Sequence, residues 1–140
     1  MTKKNKIIKP QFDKGKHFSA KYSTEIAPEQ QHPVFALYYM DTKRNFCINT
    51  CGKDEKAGFA NTLYKLSQLT WAEILRSPRH GSGYEKISKD QLKRPLPSHL
   101  KQDVNIIAFR YYNNKPMVGY RDKNIFYIVW VDTKLKLYDH

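Results

Sequence analysis

Acidic residues are scarce in this 140-residue chain: 13 Asp and Glu stand against 25 Lys and Arg, a formal charge of +12. With carboxylates so few and so scattered, a cation held by clustered Asp and Glu is not expected, and no metal site is assigned. Cysteine is nearly absent. Cys47 and Cys51 are too few for a disulfide framework. No second Cys pair or His-x3–5-His segment follows to complete a zinc centre, so one Cys is read in a strand and the other in the following turn. No apolar run reaches the roughly 18 residues of a membrane span, and the Lys-rich N-terminus lacks the apolar stretch of a secretory signal. These absences predict a cytoplasmic protein with free thiols, no cofactor and no membrane partner. Also missing are a P-loop, a G-x-G-x-x-G turn, an H-E-x-x-H helix and a G-x-S-x-G elbow. The run His80-Gly81-Ser82-Gly83-Tyr84 comes nearest the last, without its spacing.

What is present is aromatic and basic. Ten Tyr and seven Phe supply large buried surfaces for one core, and the length suits one domain. Residues 1–33 read as a basic arm followed by a polar linker between Pro28 and Pro33, and residues 34–140 as a single α+β domain. Val34–Met40 and Phe46–Asn49 are predicted to form a hairpin around the 41–45 turn. A helix is expected over 54–67, with Asp54 and Glu55 at its positive end and Phe59, Leu63 and Leu66 along one stripe. Gly58 weakens it. Thr70-Trp71-Ala72-Glu73 has the form of a capping box, so a second, short helix starts there and stops at Ser77-Pro78. A further short helix is expected near 88–93. Residues 105–112, 116–121 and 125–131 read as three strands, with turns at Asn113-Asn114 and Asp122-Lys123-Asn124. The last strand is apolar on both faces, as a doubly covered strand should be. Alternation over 134–138 suggests an extension of the sheet. The expected architecture is two helices packed on a twisted antiparallel sheet of four to five strands.

A surface this positive attracts polyanions, so RNA or the ribosome comes first among partners, with DNA as the alternative. Two segments concentrate the charge. Residues 1–24 carry Lys3, Lys4, Lys6 and Lys9 among seven Lys against one Asp. The long segment 76–103 carries Arg76, Arg79, Lys86, Lys89, Lys93 and Arg94, and basic loops of this length are commonly functional. Tyr38, Tyr39, Tyr111 and Tyr112 would stack bases where exposed, although most are expected in the core.

RNA cleavage without a metal needs a base for the 2′-hydroxyl proton, cations for the phosphate charge and an acid for the leaving oxygen. Arg110, Arg121, Tyr138 and His140 are the candidates in the sheet region, and His80 beside Arg79 is another. If both turns are two residues long, Arg110 and Arg121 share a face, and a one-residue slip separates them. Plainer readings stand beside this one. Arg110 pairs with Asp132 or Asp122, Arg121 is a solvated edge residue, and His80 and His140 are solvated ends. Tyr127 belongs to an apolar strand.

Short helices followed by three antiparallel strands, an Arg in the first strand, Gly119-Tyr120-Arg121 in the second and a final Tyr138-Asp139-His140 resemble the RelE/ParE-like toxin superfamily over about residues 54–140. The resemblance implies a curved sheet behind two helices, metal-independent cleavage of mRNA on the ribosome by basic, Tyr and His side chains, and a co-encoded antitoxin as partner. It places Arg110, Arg121, Tyr138 and His140 where such toxins keep functional residues. The N-terminal hairpin and the long 76–103 loop depart from that pattern. The C-terminal stretch also resembles uncharacterised proteins of bacterial mobile elements, which implies the alternative: a non-enzymatic module of a phage or mobile element that binds DNA, RNA or protein.

Overall fold

The computed structural model describes residues 26–79, 81–101 and 103–140; Lys3, Lys4, Lys6, Lys9 and His80 lie outside them. The chain forms β1 (Val34–Ala36), α1 (Lys53–Ser67), α2 (Trp71–Arg76), β2 (Glu85–Ile87), β3 (Ile106–Tyr112), β4 (Lys115–Asp122) and β5 (Ile125–Val131). The five strands make one sheet in the order β1-β5-β4-β3-β2. This is the expected α+β fold, with two helices and five strands. Strand β1 runs parallel to β5 and every other pair is antiparallel, so the sheet is mixed.

Local chemistry explains both helices. The Glu55 carboxylate accepts the Gly52 N–H at 2.7 Å at the start of α1. At α2 the Thr70 hydroxyl accepts the Glu73 N–H at 3.2 Å and Glu73 accepts the Thr70 N–H at 2.8 Å, the reciprocal box predicted from sequence. Phe59 and Leu66 of α1 and Trp71 and Ile74 of α2 are buried against Ile107, Phe109, Phe126 and Ile128 on one face of the sheet.

The other face is also covered. Ile106, Ala108, Val118, Val129 and Trp130 pack there under Leu137 and Tyr138 of the C-terminal tail and under Leu92, Leu96, Leu100 and Val104 of the 88–104 segment. The long basic loop is thus the lid of a second core layer, and its leucines hold it down. Only residues Lys89–Gln91 of it are helical, as a single 3-10 turn.

Three expectations are corrected. Phe46–Asn49 forms no strand, so it makes no hairpin with Val34–Met40. The chain beyond β1 instead runs along the end of β5, where Asp41 N–H donates to Val129 O at 2.7 Å, Val131 N–H to Phe46 O at 2.9 Å and Thr133 N–H to Asn45 O at 3.0 Å. Residues 134–138 do not extend the sheet. The fully buried Asp132 carboxylate accepts the Lys136 and Leu137 N–H groups at 3.0 and 2.9 Å, and this curls the tail across the second face. The segment read as a linker is docked: Gln31 O accepts the Trp71 N–H at 3.0 Å and Pro33 is buried.

One irregularity decides which side chains meet. Both meander turns are two residues long, since Tyr112 faces Lys115 and Asp122 faces Ile125. Asn113 and Lys123 take up the positive φ these turns require, 53° and 58°. Arg110 nevertheless pairs with Pro116, leaving Tyr111 as an unpaired bulge residue. The freed Tyr111 carbonyl meets α1, where Thr62 Oγ1 donates to it at 3.3 Å. Gly58 makes the approach fit, because a Cβ there would lie 2.7 Å from that oxygen.

Candidate functional site

The bulge sets the fate of the two arginines. The single unpaired residue shifts the register of β3 against β4 by one, so Arg110 and Arg121 lie on opposite faces of the sheet. The expectation that they act together on one phosphate is therefore overturned.

Arg121 turns toward the helices. Its guanidinium carbon lies 4.3 Å from the centre of the Trp71 ring, a close cation–π contact. Its Nε donates to Lys123 O at 2.6 Å, and its terminal nitrogen pairs with Glu29 at 3.4 Å. The side chain is only 19% exposed. Arg121 joins β4, α2 and the 26–33 segment, away from the cavity that brings together Arg110, Tyr138 and His140.

Arg110 is exposed and turns toward the tail. With Arg79, Glu85, Pro116, Tyr138 and His140 it lines a cavity of about 230 Å³. Three of the four sheet-region candidates therefore converge where the end of β3 meets the tail that Asp132 folds back. The Tyr138 and His140 rings stack at 4.3 Å, with Tyr138 buried and His140 exposed. Burial, then the charges of Glu85 and Asp132, push the Tyr138 hydroxyl up to about 12, against a smaller opposing pull from Arg110 and Arg79. At neutral pH this phenol keeps its proton. At the rim, Arg79 and Glu85 form a half-exposed ion pair at 3.3 Å.

The basic residues assigned to nucleic acid divide. Arg76 and Lys86 are exposed and Lys89 is partly exposed. Lys93 is exposed and bonds Asp139 at 2.7 Å. Arg94 is not a surface cation: its Nε and a terminal nitrogen donate to Asp41 at 2.7 and 3.1 Å, and the Trp130 indole N–H donates to the same carboxylate at 3.2 Å. Burial raises the Asp41 carboxyl, but Arg94, the Lys43 N–H and Trp130 outweigh it and hold the group below its ordinary value. Arg94 belongs to the frame, and its assignment as a phosphate contact is corrected.

A second concavity went unread in the sequence. Tyr39, His99, Lys101, Tyr120, Asp122 and Tyr127 line a pocket of about 380 Å³ at the far end of β4. The His99 ring lies 4.0 Å from that of Tyr39, and its Nε2 shares a 2.6 Å hydrogen bond with the Tyr120 hydroxyl. His99 sits in a Pro-rich stretch with no periodicity, so nothing local announced it. Of the four tyrosines weighed as base-stacking rings, Tyr38 and Tyr39 are exposed, while Tyr111 is buried and Tyr112 partly so.

Among the described residues no helix is long and apolar enough to cross a membrane. Comparison of the chain with family models, curated proteins and solved structures finds no match.

Proposed function

We propose that this chain binds RNA and cleaves it without a metal ion in the cavity of Arg110, Tyr138 and His140, in the manner of the RelE/ParE-like toxins it resembles. The observation that carries the reading is the convergence of a guanidinium, a protonated phenol and an imidazole on one cavity in an unusually basic protein.

Each group has a part. Arg110 and Arg79 offer positive charge to the scissile phosphate, where negative charge grows as the reaction proceeds. His140 takes the 2′-hydroxyl proton, imidazole being the side chain suited to this near neutral pH. The 2′-oxygen attacks phosphorus and the bond to the 5′-oxygen breaks. Tyr138 supplies the proton that the departing oxygen needs. The products are a 2′,3′-cyclic phosphate and a 5′-hydroxyl. Exposed Lys93, bonded to Asp139 of the cavity wall, extends the attraction for the RNA backbone.

The element order adds support. Among the described residues there is one first strand, then two helices, then an antiparallel meander, the element order of the toxin pattern. On this reading the substrate is mRNA on the ribosome, the compartment is the cytoplasm and a co-encoded antitoxin is the protein partner. Expression of the wild type in a bacterial host is expected to arrest growth and deplete mRNA, while Arg110→Ala and His140→Ala leave both intact. Equal growth and intact mRNA with wild type and Arg110→Ala would overturn the proposal.

A further inference from the structure

We propose that the pocket between Tyr39, His99, Tyr120 and Tyr127 receives an unpaired base of single-stranded RNA. This rests on the RNA-binding reading above and specifies its substrate as single-stranded.

The pocket is walled by flat rings that pack on one another, with Tyr39 at its exposed edge. Tyr120 and Tyr127 stack at 4.8 Å and 12°, Tyr39 packs 5.8 Å from Tyr127, and His99 lies against Tyr39 at 4.0 Å. Tyr38 stands edge-on to Tyr39 at 4.9 Å and is 85% exposed. Tyr38 and Tyr39 leave two adjacent large rings in water, a pairing suited to a partner that is itself flat. The volume of about 380 Å³ lies at the small-ligand end of the range for binding sites.

The polar groups narrow the occupant. Lys101 lines the pocket and is exposed, placed for a phosphate. Asp103 and Asp122 line it too, and they offer acceptors to the exocyclic amines of a base. A protein of charge +12 draws polyanions, and a base attached to a phosphate backbone satisfies both the rings and the charge. Bases in a duplex are stacked on each other and present no free face, whereas unpaired bases stack on aromatic side chains with little regard to sequence.

The pocket and the Arg110 cavity share the second face of the sheet: Tyr120, Tyr127 and Tyr138 all belong to its packing layer. Pro116 lines one site and Tyr120 the other. Four residues of extended chain separate them, ~13 Å.

The test is fluorescence anisotropy with a short labelled RNA carrying 2′-O-methyl groups, so that it stays intact, beside its duplex and an abasic version. The wild type should bind the single strand more tightly than the abasic strand. Tyr39→Leu, which keeps apolar cover but removes the ring, should weaken single-strand binding roughly 5- to 150-fold, the size of one lost base stack. Duplex binding should be unchanged, which also reports an intact fold, and Tyr39→Phe should bind as wild type. If the wild type binds all three ligands and Tyr39→Leu binds the single strand equally well, the base pocket is overturned and phosphate binding stands. If the wild type binds none, both fall.

Discussion

Arg110 and Arg121, eleven positions apart on adjacent strands, face opposite sides of the sheet because Tyr111 between them has no partner on β4. The two residues therefore separate in their response to mutation. Arg121→Ala removes the Trp71 contact and the Lys123 carbonyl bond and should cost about 1–2 kcal/mol of stability. RNA cleavage per folded molecule should remain. Arg110→Ala should abolish cleavage per folded molecule. Melting curves run beside cleavage assays distinguish the pair, and the reverse pattern would place the chemistry on the helix side.

Gly58→Ala tests what holds the bulge. On an unencumbered helix this change gains about 1 kcal/mol. Here the new methyl group meets Tyr111 O at 2.7 Å and the Tyr112 ring at 3.0 Å, an overpacking cost of about 1–3 kcal/mol. The expected outcome of chemical denaturation is a less stable protein, with Arg110-dependent cleavage reduced because the register around it is disturbed.

Asp41 should make stability depend on pH at the acid end. Its carboxyl is held below the ordinary value near 3.8 in the folded state. The stabilisation is complete above that ordinary value and is lost as the pH falls through the lower folded value. Wild-type melting temperature should drop below about pH 4, and Asp41→Asn should show a shallower drop from a lower starting point. Arg94→Ala, which leaves a half-buried carboxylate with fewer donors, should cost about 1–3 kcal/mol at neutral pH.

Tyr138→Phe keeps the ring that packs with Val118 and Leu137 and removes only the proton donor. Cleavage should slow by about 10²–10⁴-fold with little change in melting temperature. A variant as active as wild type would assign the leaving-group proton elsewhere.

The helices and the meander were legible because their signals are local. The Thr70–Glu73 box, the Phe59–Leu66 stripe and the Asn113-Asn114 turn each act within a few residues. What was misread depended on distant partners. Asp41 and Phe46 bond β5 rather than each other, and Asp132 alone turns the Lys134–Tyr138 alternation from a strand into a curl. The bulge at Tyr111 rests on Gly58 and Thr62, some fifty residues earlier, so no turn length could reveal it. The convergence of Arg110, Tyr138 and His140 came from residue types suited to the chemistry, whereas His99 and Tyr39 meet only through the folded loop.

The most direct measurement incubates purified protein with single-stranded RNA in EDTA and identifies the new ends. The account predicts cleavage by the wild type that leaves 2′,3′-cyclic phosphate and 5′-hydroxyl termini, and none by Arg110→Ala. RNA left intact by the wild type, or cut equally by Arg110→Ala, would contradict it.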